Sequence, residues 1–186
     1  MAQHSVCPWW VGYLLVNPLR RLMQDPAAIL KPYVRQGMKV LEPGPGMGFF
    51  TLELARLVGP SGRVIAVDVA LQMIAGLKRR AKKAGLLERI DARAVPANSM
   101  ELGDLREKID FVLAAFGVHE MPAAAVFFAE AAGAMKPAAT LLLMEPTGHV
   151  SVAEFEEQLN AASANGLKIA ARLSMRGCQA ALLQKP

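Results

Sequence analysis

The run Val40-Leu41-Glu42-Pro43-Gly44-Pro45-Gly46-Met47-Gly48-Phe49 leaves this chain few folds to choose from. A short apolar strand at residues 39–41 runs into three glycines at alternate positions, and helical spacing follows over residues 47–58 at Phe50, Leu54 and Leu57-Val58. Glycines set that closely at the end of a strand make a tight turn whose backbone a ligand can approach. By itself such a loop could be any buried turn; its context gives it chemical meaning. The next strand, residues 63–67, ends in Asp68, 26 positions after Glu42. A carboxylate there is suited to accept hydrogen bonds from two ribose hydroxyls.

The rest of the chain keeps the strand–helix alternation. Asp25-Pro26 reads as an N-cap followed by proline at the first helical position, opening a helix toward Tyr33. Gly59-Pro60-Ser61-Gly62 is a turn, and residues 70–84 form a helix closed by Gly85. Strands are expected at residues 90–95 and 109–114. Pro122 opens a helix through an alanine-rich stretch to about Lys136-Pro137, and residues 140–144 make a fifth strand. Ser151-Val152-Ala153-Glu154 has the form of a capping box and starts a last helix, closed by Gly166. Strands near residues 167–173 and 179–183 have no helix between them, so they pair as an antiparallel hairpin at one edge. The alternation predicts an α/β fold, a parallel sheet with helices on both faces, whose ligands lie outside the carboxyl ends of the strands.

At 186 residues, 53% hydrophobic and 20% charged, the chain is expected to form one globular domain, residues 1–186, and not a disordered segment. Within it, residues 1–36 read as a helical, aromatic N-terminal cover and residues 37–186 as the core. The net charge of +5 favours anionic ligands only weakly. Two cysteines, Cys7 and Cys178, and three histidines suit neither a disulfide scaffold nor a metal site, and fit a reducing cytoplasm. Residues 1–19 carry no Lys, Arg, Asp or Glu, but the apolar stretch 6–16 is interrupted by Pro8 and Gly12. It falls short of the roughly 20 residues a spanning helix needs. With neither a basic start nor a small-residue cleavage site, it reads as structural.

Two nucleotide chemistries compete for the glycine loop. A dinucleotide fingerprint requires G-x-G-x-x-G/A, and counting from Gly44 the third position falls on Phe49. A P-loop is excluded because no GK[ST] follows. A carboxylate at Glu42 would repel a pyrophosphate and suit a cationic ligand that also carries a ribose. Glu42-x-Gly44-x-Gly46-x-Gly48 followed by Val67-Asp68 resembles the first two motifs of the class I S-adenosylmethionine-dependent methyltransferases. Asp110-Phe111-Val112-Leu113 resembles their fourth-strand motif, and Met135-Lys136-Pro137 with Leu141-Leu142-Leu143 the approach to their fifth strand. The resemblance runs from about Gly37 to Leu183 and is nearest the small-molecule group that includes the ubiquinone and menaquinone biosynthesis methyltransferases. It implies a three-layer, Rossmann-like sheet of seven strands in the order 3-2-1-4-5-7-6, with the last strand antiparallel. The family often has Gly-Gly after Lys-Pro, where this chain has Ala138-Ala139. Alanine adopts positive φ poorly, so another turn geometry is expected there.

Carried over by motif, the resemblance implies S-adenosyl-L-methionine as cofactor. Gly44, Pro45, Gly46 and Gly48 would lie along its methionine part, with Pro43 and Pro45 stiffening the loop. Glu42 would orient the loop or bind the amino group through water. Asp68 would hold both ribose hydroxyls, Val69 would pack on the adenine, and Asn98 and Ser99 would meet its edge. Phe116 would border the methyl group. The expected reaction is methyl transfer to a small-molecule acceptor; the alternatives are an RNA or protein methyltransferase, or a module that binds the cofactor without catalysis.

Other residues are open to two readings. His119 and Glu120, after the fourth strand, are the candidate catalytic pair, or a polar cap on the next helix. Glu145 and His149 flank Pro146, and His149 either positions substrate or caps a loop. Trp9, Trp10 and Tyr13 either cover the acceptor pocket or meet a membrane surface beside Arg20 and Arg21. Lys78, Arg79, Arg80, Lys82 and Lys83 form either a solvated helix face or an RNA patch; no aromatics interleave them, so nucleic acid is not expected. Met47, Met73 and Met100 read as packing residues. A homodimer is left open.

Overall fold

A computed structural model describes residues 24–186; Trp9, Trp10 and Tyr13 lie outside the described residues. The described elements are, in order, α1 (Pro26–Leu30), β1 (Lys39–Pro43), α2 (Thr51–Leu57), β2 (Arg63–Asp68), α3 (Leu71–Lys83), β3 (Ile90–Ala94), β4 (Ile109–Ala115), α4 (Ala124–Ala134), β5 (Met135–Pro146), α5 (Val152–Ala164), β6 (Lys168–Met175) and β7 (Cys178–Gln184). They fall into two units, one reaching as far as Val95 and the other running Pro96–Pro186. The strands form one seven-stranded sheet in the order β3-β2-β1-β4-β5-β7-β6, the order implied by the resemblance.

In the first unit β1 pairs in parallel with β2, and β2 with β3, so that Val40 stands beside Val64 and Val64 beside Ile90. Parallel strands covered on both faces read as unbroken apolar runs; Val64, Ile65, Ala66 and Val67 are all buried. Helix α3 buries Met73, Ile74, Leu77 and Ala81 on one face at helical spacing, and exposes Lys78, Arg79, Lys82 and Lys83 on the other. In the second unit β4 pairs in parallel with β5, and β7 runs antiparallel to both β5 and β6, as the missing helix between the last two strands predicts. Leu141, Leu142 and Leu143 on β5 are fully buried, each worth roughly 1.5–3 kcal/mol of burial. The capping box on α5 is formed in both directions between Ser151 and Glu154.

Three expected boundaries move. Helix α1 stops at Leu30 short of Tyr33, since Pro32 has no N–H to continue the ladder. Helix α2 begins at Thr51 and not at 47, because Gly46 (φ +53°) and Gly48 (φ +86°) sit in the left-handed region, which a right-handed helix excludes. Helix α4 ends at Ala134, and Met135-Lys136-Pro137 already belongs to β5.

The turn after Lys136-Pro137 also departs from expectation. Ala138 has φ +65°, so the alanine adopts the left-handed geometry that glycine usually supplies. The register between β4 and β5 shifts here, from Ile109 beside Met135 to Phe111 beside Thr140. The end of β7 holds the irregularity in place: Ala138 N–H donates to Lys185 O (3.0 Å), and Lys185 N–H donates to Ala139 O (3.0 Å). Left-handed backbone at a non-glycine residue costs about 1–2 kcal/mol, and Gly at a compatible site gives back about 0.4–1 kcal/mol through the unfolded chain. Ala138→Gly is therefore expected to stabilise the fold by about 0.5–1 kcal/mol, seen as a higher urea midpoint at unchanged slope. A lower midpoint would show that the side chain carries more than it strains.

Candidate functional site

The glycine loop is held at several points. Gly44 N–H donates to Val67 O at the end of β2 (2.9 Å), and Gly48 N–H closes a turn onto Pro45 O (2.9 Å). The Asp68 carboxylate spans the loop and the following helix: Oδ2 accepts from Gly46 N–H (3.2 Å) and Oδ1 from Ala70 N–H (2.9 Å). The residue between the glycines, Met47, is buried against Gly76 of α3, where a Cβ would come within 2.9 Å of the Met47 side chain. From the same helix the Arg80 guanidinium donates to Met47 O. Arg80 thus departs from the solvated basic face expected of it, while its four basic neighbours are exposed.

The three glycines do different things. All have positive φ, 66°, 53° and 86° for Gly44, Gly46 and Gly48. A Cβ on Gly44 or Gly46 would meet nothing within 4 Å, so both backbones border open space. A Cβ on Gly48 would lie 2.5 Å from Leu77 Cδ1, so this glycine lets the loop seat on α3. Pro45 is buried within the turn.

Two carboxyl groups stand at this loop. Glu42 is 3% exposed, and among the described residues its Oε2 has no hydrogen-bond partner. Burial pushes the Glu42 carboxyl up to about 8, helped by the charge of Asp68 and opposed by Thr51. Glu42 is therefore largely neutral at pH 7, unlike the fixed carboxylate expected from the sequence, and a nearby cation would favour its ionised form. Asp68 is half-buried and raised from its ordinary value, chiefly by burial, against the lowering effect of backbone N–H groups at Ala70, Gly46 and Val69. A carboxylate offers about four lone-pair positions, so the backbone N–H groups do not saturate Asp68. Next to it Val69 is 43% exposed, an apolar face left open.

The second unit holds the remaining candidates. Asn98 is exposed. The Ser99 hydroxyl donates to Glu130 Oε1 (2.7 Å) and accepts from Glu101 N–H (3.1 Å), while Glu130 Oε2 accepts from Met100 N–H (2.6 Å). Ser99 thus ties its loop to α4, a role its sequence neighbourhood does not reveal. Phe116 follows β4 with φ +61°, its N–H donating to Met144 O (2.8 Å). His119 lies in the short helical turn Val118–Glu120. Its partner is Glu145 at the end of β5, not Glu120: Nδ1 is 2.7 Å from Glu145 Oε2, and the His119 backbone N–H donates to Glu145 Oε1 (3.0 Å). Glu120 Oε1 is 3.9 Å from Nε2. His149 is exposed in the turn after β5 and is not brought to Glu145. An acidic residue closing the apolar run 141–144 was the sequence signal for Glu145; nothing in the sequence joined it to His119, 26 positions earlier.

The chain matches the family described as "Methyltransferase domain" over residues 40–138, more than half its length. It belongs to the class I S-adenosylmethionine-dependent methyltransferases. The methyltransferase is similar to the ubiquinone/menaquinone biosynthesis C-methyltransferase UbiE of Pasteurella multocida, 31% identical over 60% of this chain and 41% of that protein. It is also similar to the demethylmenaquinone methyltransferase of Staphylococcus aureus, 29% identical over 68% of this chain and 48% of that one. The chain thus spans under half the length of these curated relatives. A SAM-dependent methyltransferase from Aquifex aeolicus has the same fold, with a TM-score of 0.87 at 24% identity over 97% of this chain and 100% of that one. The loop suits the family's cofactor, with open space before Gly44 and Gly46, a Glu42 oxygen unpartnered among the described residues and the Asp68 carboxylate beside them.

The raised Glu42 carboxyl in the methyltransferase sets a pH dependence. The folded chain keeps its proton where the unfolded chain has lost it, so its stabilising effect is complete below pH 4.5 and is lost as the pH rises through about 8. Glu42→Gln, which cannot ionise, is expected to abolish that loss. Urea denaturation across this range should show the unsubstituted chain losing stability relative to the variant. Parallel pH profiles would mean that Glu42 ionises freely in the folded chain.

Proposed function

We propose that the chain transfers a methyl group from S-adenosyl-L-methionine to a small-molecule acceptor by in-line displacement, acting in the cytoplasm with residues 37–186 as its catalytic core. The observation that carries this reading is Asp68, whose two carboxylate oxygens accept from the Gly46 and Ala70 N–H groups at the glycine loop and would also accept from the vicinal hydroxyls of a ribose. Gly44 and Gly46 would lie along the methionine part and Val69 under the adenine, with Asn98 at its edge. Glu42 would accept from the amino group directly or through water. Bound there, the cofactor supplies an electrophilic methyl on a sulfonium. The chain's contribution is then alignment of acceptor and methyl, an effect that can supply roughly 7–11 kcal/mol.

A small-molecule acceptor is supported by the relatives, named for ubiquinone/menaquinone biosynthesis and for demethylmenaquinone. Phe116 and His119, in the loop after β4, would stand on the acceptor side. The exposed cations Lys78, Arg79, Lys82 and Lys83 favour a second reading, an RNA methyltransferase.

Asp68→Ala removes an acceptor of two hydrogen bonds, each to a charged group and worth about 1.5–3 kcal/mol. Affinity for S-adenosylhomocysteine should fall on the order of 100-fold, measured by calorimetry, with the fold intact. Unchanged affinity, or tight NAD binding by the unsubstituted chain, would sink the cofactor assignment. Binding without turnover on any acceptor would leave a cofactor-binding module. For the RNA reading, filter binding of a structured RNA should be weak and disappear by about 150 mM salt. Submicromolar binding at that salt would promote RNA over the small molecule.

A further inference from the structure

We infer that His119 and Glu145 form a proton-accepting unit, His119 taking the proton from the acceptor and Glu145 holding the imidazole. The acceptor is then a phenol- or enol-type hydroxyl compound and not a neutral amine. This rests on the methyl-transfer reading above.

Glu145 is 0% exposed, at the end of an apolar strand, where a carboxylate without partners would be costly. Both of its oxygens serve one residue, accepting from the His119 backbone N–H and from Nδ1. This fixes the turn and the ring together. With Nδ1–H directed at the carboxylate, the neutral imidazole carries its lone pair on Nε2. Nε2 belongs to a side chain that is 25% exposed, and among the described residues it makes no hydrogen bond; Glu120 at 3.9 Å is beyond that range. A link serving stability alone would not need an ionisable partner that reaches solvent, because buried ion pairs stabilise poorly against apolar replacements.

Position supports chemistry as well. β4 and β5 are parallel neighbours, and His119 and Glu145 lie at their carboxyl ends, where ligands of such sheets bind. Three residues before His119 the backbone of Phe116 is held in left-handed geometry by Met144 O, and strain of this kind gathers at functional sites. Among the described residues, the charged groups facing the ring are Glu145 from β5, Glu120 from its own turn and Glu154 from α5. Helix α4 carries one ionisable residue, Glu130, already bonded to Ser99 and Met100. The Glu145 hydrogen bond raises the imidazole above its ordinary value against the opposing effect of burial, and the other two carboxylates add to the rise. His119 then accepts a proton only as the pH climbs through that raised value.

In the step, the acceptor O–H bond breaks and its proton goes to Nε2. The freed electron pair, on oxygen or on a conjugated carbon, forms the bond to the methyl carbon, while the pair of the broken S–C bond stays on sulfur. His119 then releases the proton to water.

The test uses the full chain, His119→Gln and Glu145→Gln. Calorimetry with S-adenosylhomocysteine should give affinities within a few-fold of one another. No binding by the unsubstituted chain would overturn the methyl-transfer reading and this proposal with it; good binding leaves the proposal to stand or fall on two further measurements. NMR titration of the three imidazoles, with the His119 signal identified by its loss in His119→Gln, should show His119 titrating at lower pH in Glu145→Gln. Transfer of labelled methyl is then followed against pH with naphthohydroquinone, acetylacetone and N-methylaniline as probes. Naphthohydroquinone or acetylacetone should be methylated with a rising limb that coincides with the His119 titration. The limb should move to lower pH in Glu145→Gln, and in His119→Gln the rate should fall roughly 10²–10⁴-fold with the limb gone. An unmoved His119 titration in Glu145→Gln, a limb that survives in His119→Gln, or transfer to the amine alone or to none of the three would overturn the proposal.

Discussion

The Asp68 carboxylate is the bond on which the geometry of the glycine loop depends. The loop leaves β1 through residues that repeatedly occupy left-handed conformations, a path no sheet or helix ladder can hold. Its backbone groups therefore need partners from outside, and Asp68 supplies one by accepting from Gly46 while it also accepts from Ala70 at the start of α3. The bonds from Gly44 to Val67 and from Arg80 to Met47, and the seating of Met47 against Gly76, close the remaining freedom. A loop fixed in this way meets a ligand with its backbone already in place, so binding loses little to ordering. The carboxylate that organises the loop is also the group best placed to hold a ribose, and the two roles are compatible because each oxygen accepts more than one hydrogen bond.

Glu42 and Glu145 show how burial produces opposite chemistry in similar side chains. Both lie at the carboxyl ends of sheet strands and are almost fully buried. Among the described residues Glu42 lacks a partner at Oε2, and it keeps its proton to about pH 8, so it responds to whatever cation arrives. Glu145 is bonded through both oxygens to His119, and that hydrogen bond raises the imidazole. One carboxyl waits for charge; the other has its counterpart within the chain.

Much of this was legible in the sequence because it is local. The glycine spacing, Asp68 at the end of β2 and the capping box of α5 are all signalled within a few residues, and the strand order followed once the terminal hairpin and the motif resemblance were combined. What the sequence concealed depends on long side chains meeting across distant segments. Arg80 sits among four solvated cations and looks like a fifth until the fold brings Met47 O beneath it. The Ser99 hydroxyl looks available until Glu130, 31 residues on, takes it. His119 was read with its neighbour Glu120 because adjacency was the only distance the sequence offers. Ala138 misled for a related reason: local preference argues against left-handed alanine, but the pairing with Lys185 is worth more than the preference.

Ala138 and Phe116 carry the same backbone strain for different reasons. At Ala138 two backbone hydrogen bonds to Lys185 fix the conformation, and a glycine would serve them equally well. At Phe116 a glycine stands one position later, at Gly117, yet the left-handed conformation falls on the aromatic residue. Non-glycine residues held there cost of order 1–3 kcal/mol, so retaining a large ring implies a use that glycine could not meet. Phe116 is half-buried, between the end of β4 and the turn that carries His119, and its N–H is fixed by Met144, the residue before Glu145. The backbone that strains Phe116 is thus the one that aims His119 at its carboxylate. The Phe116 backbone and the His119 ring are therefore fixed from consecutive residues of one strand, Met144 and Glu145, so a shift of β5 would move both together.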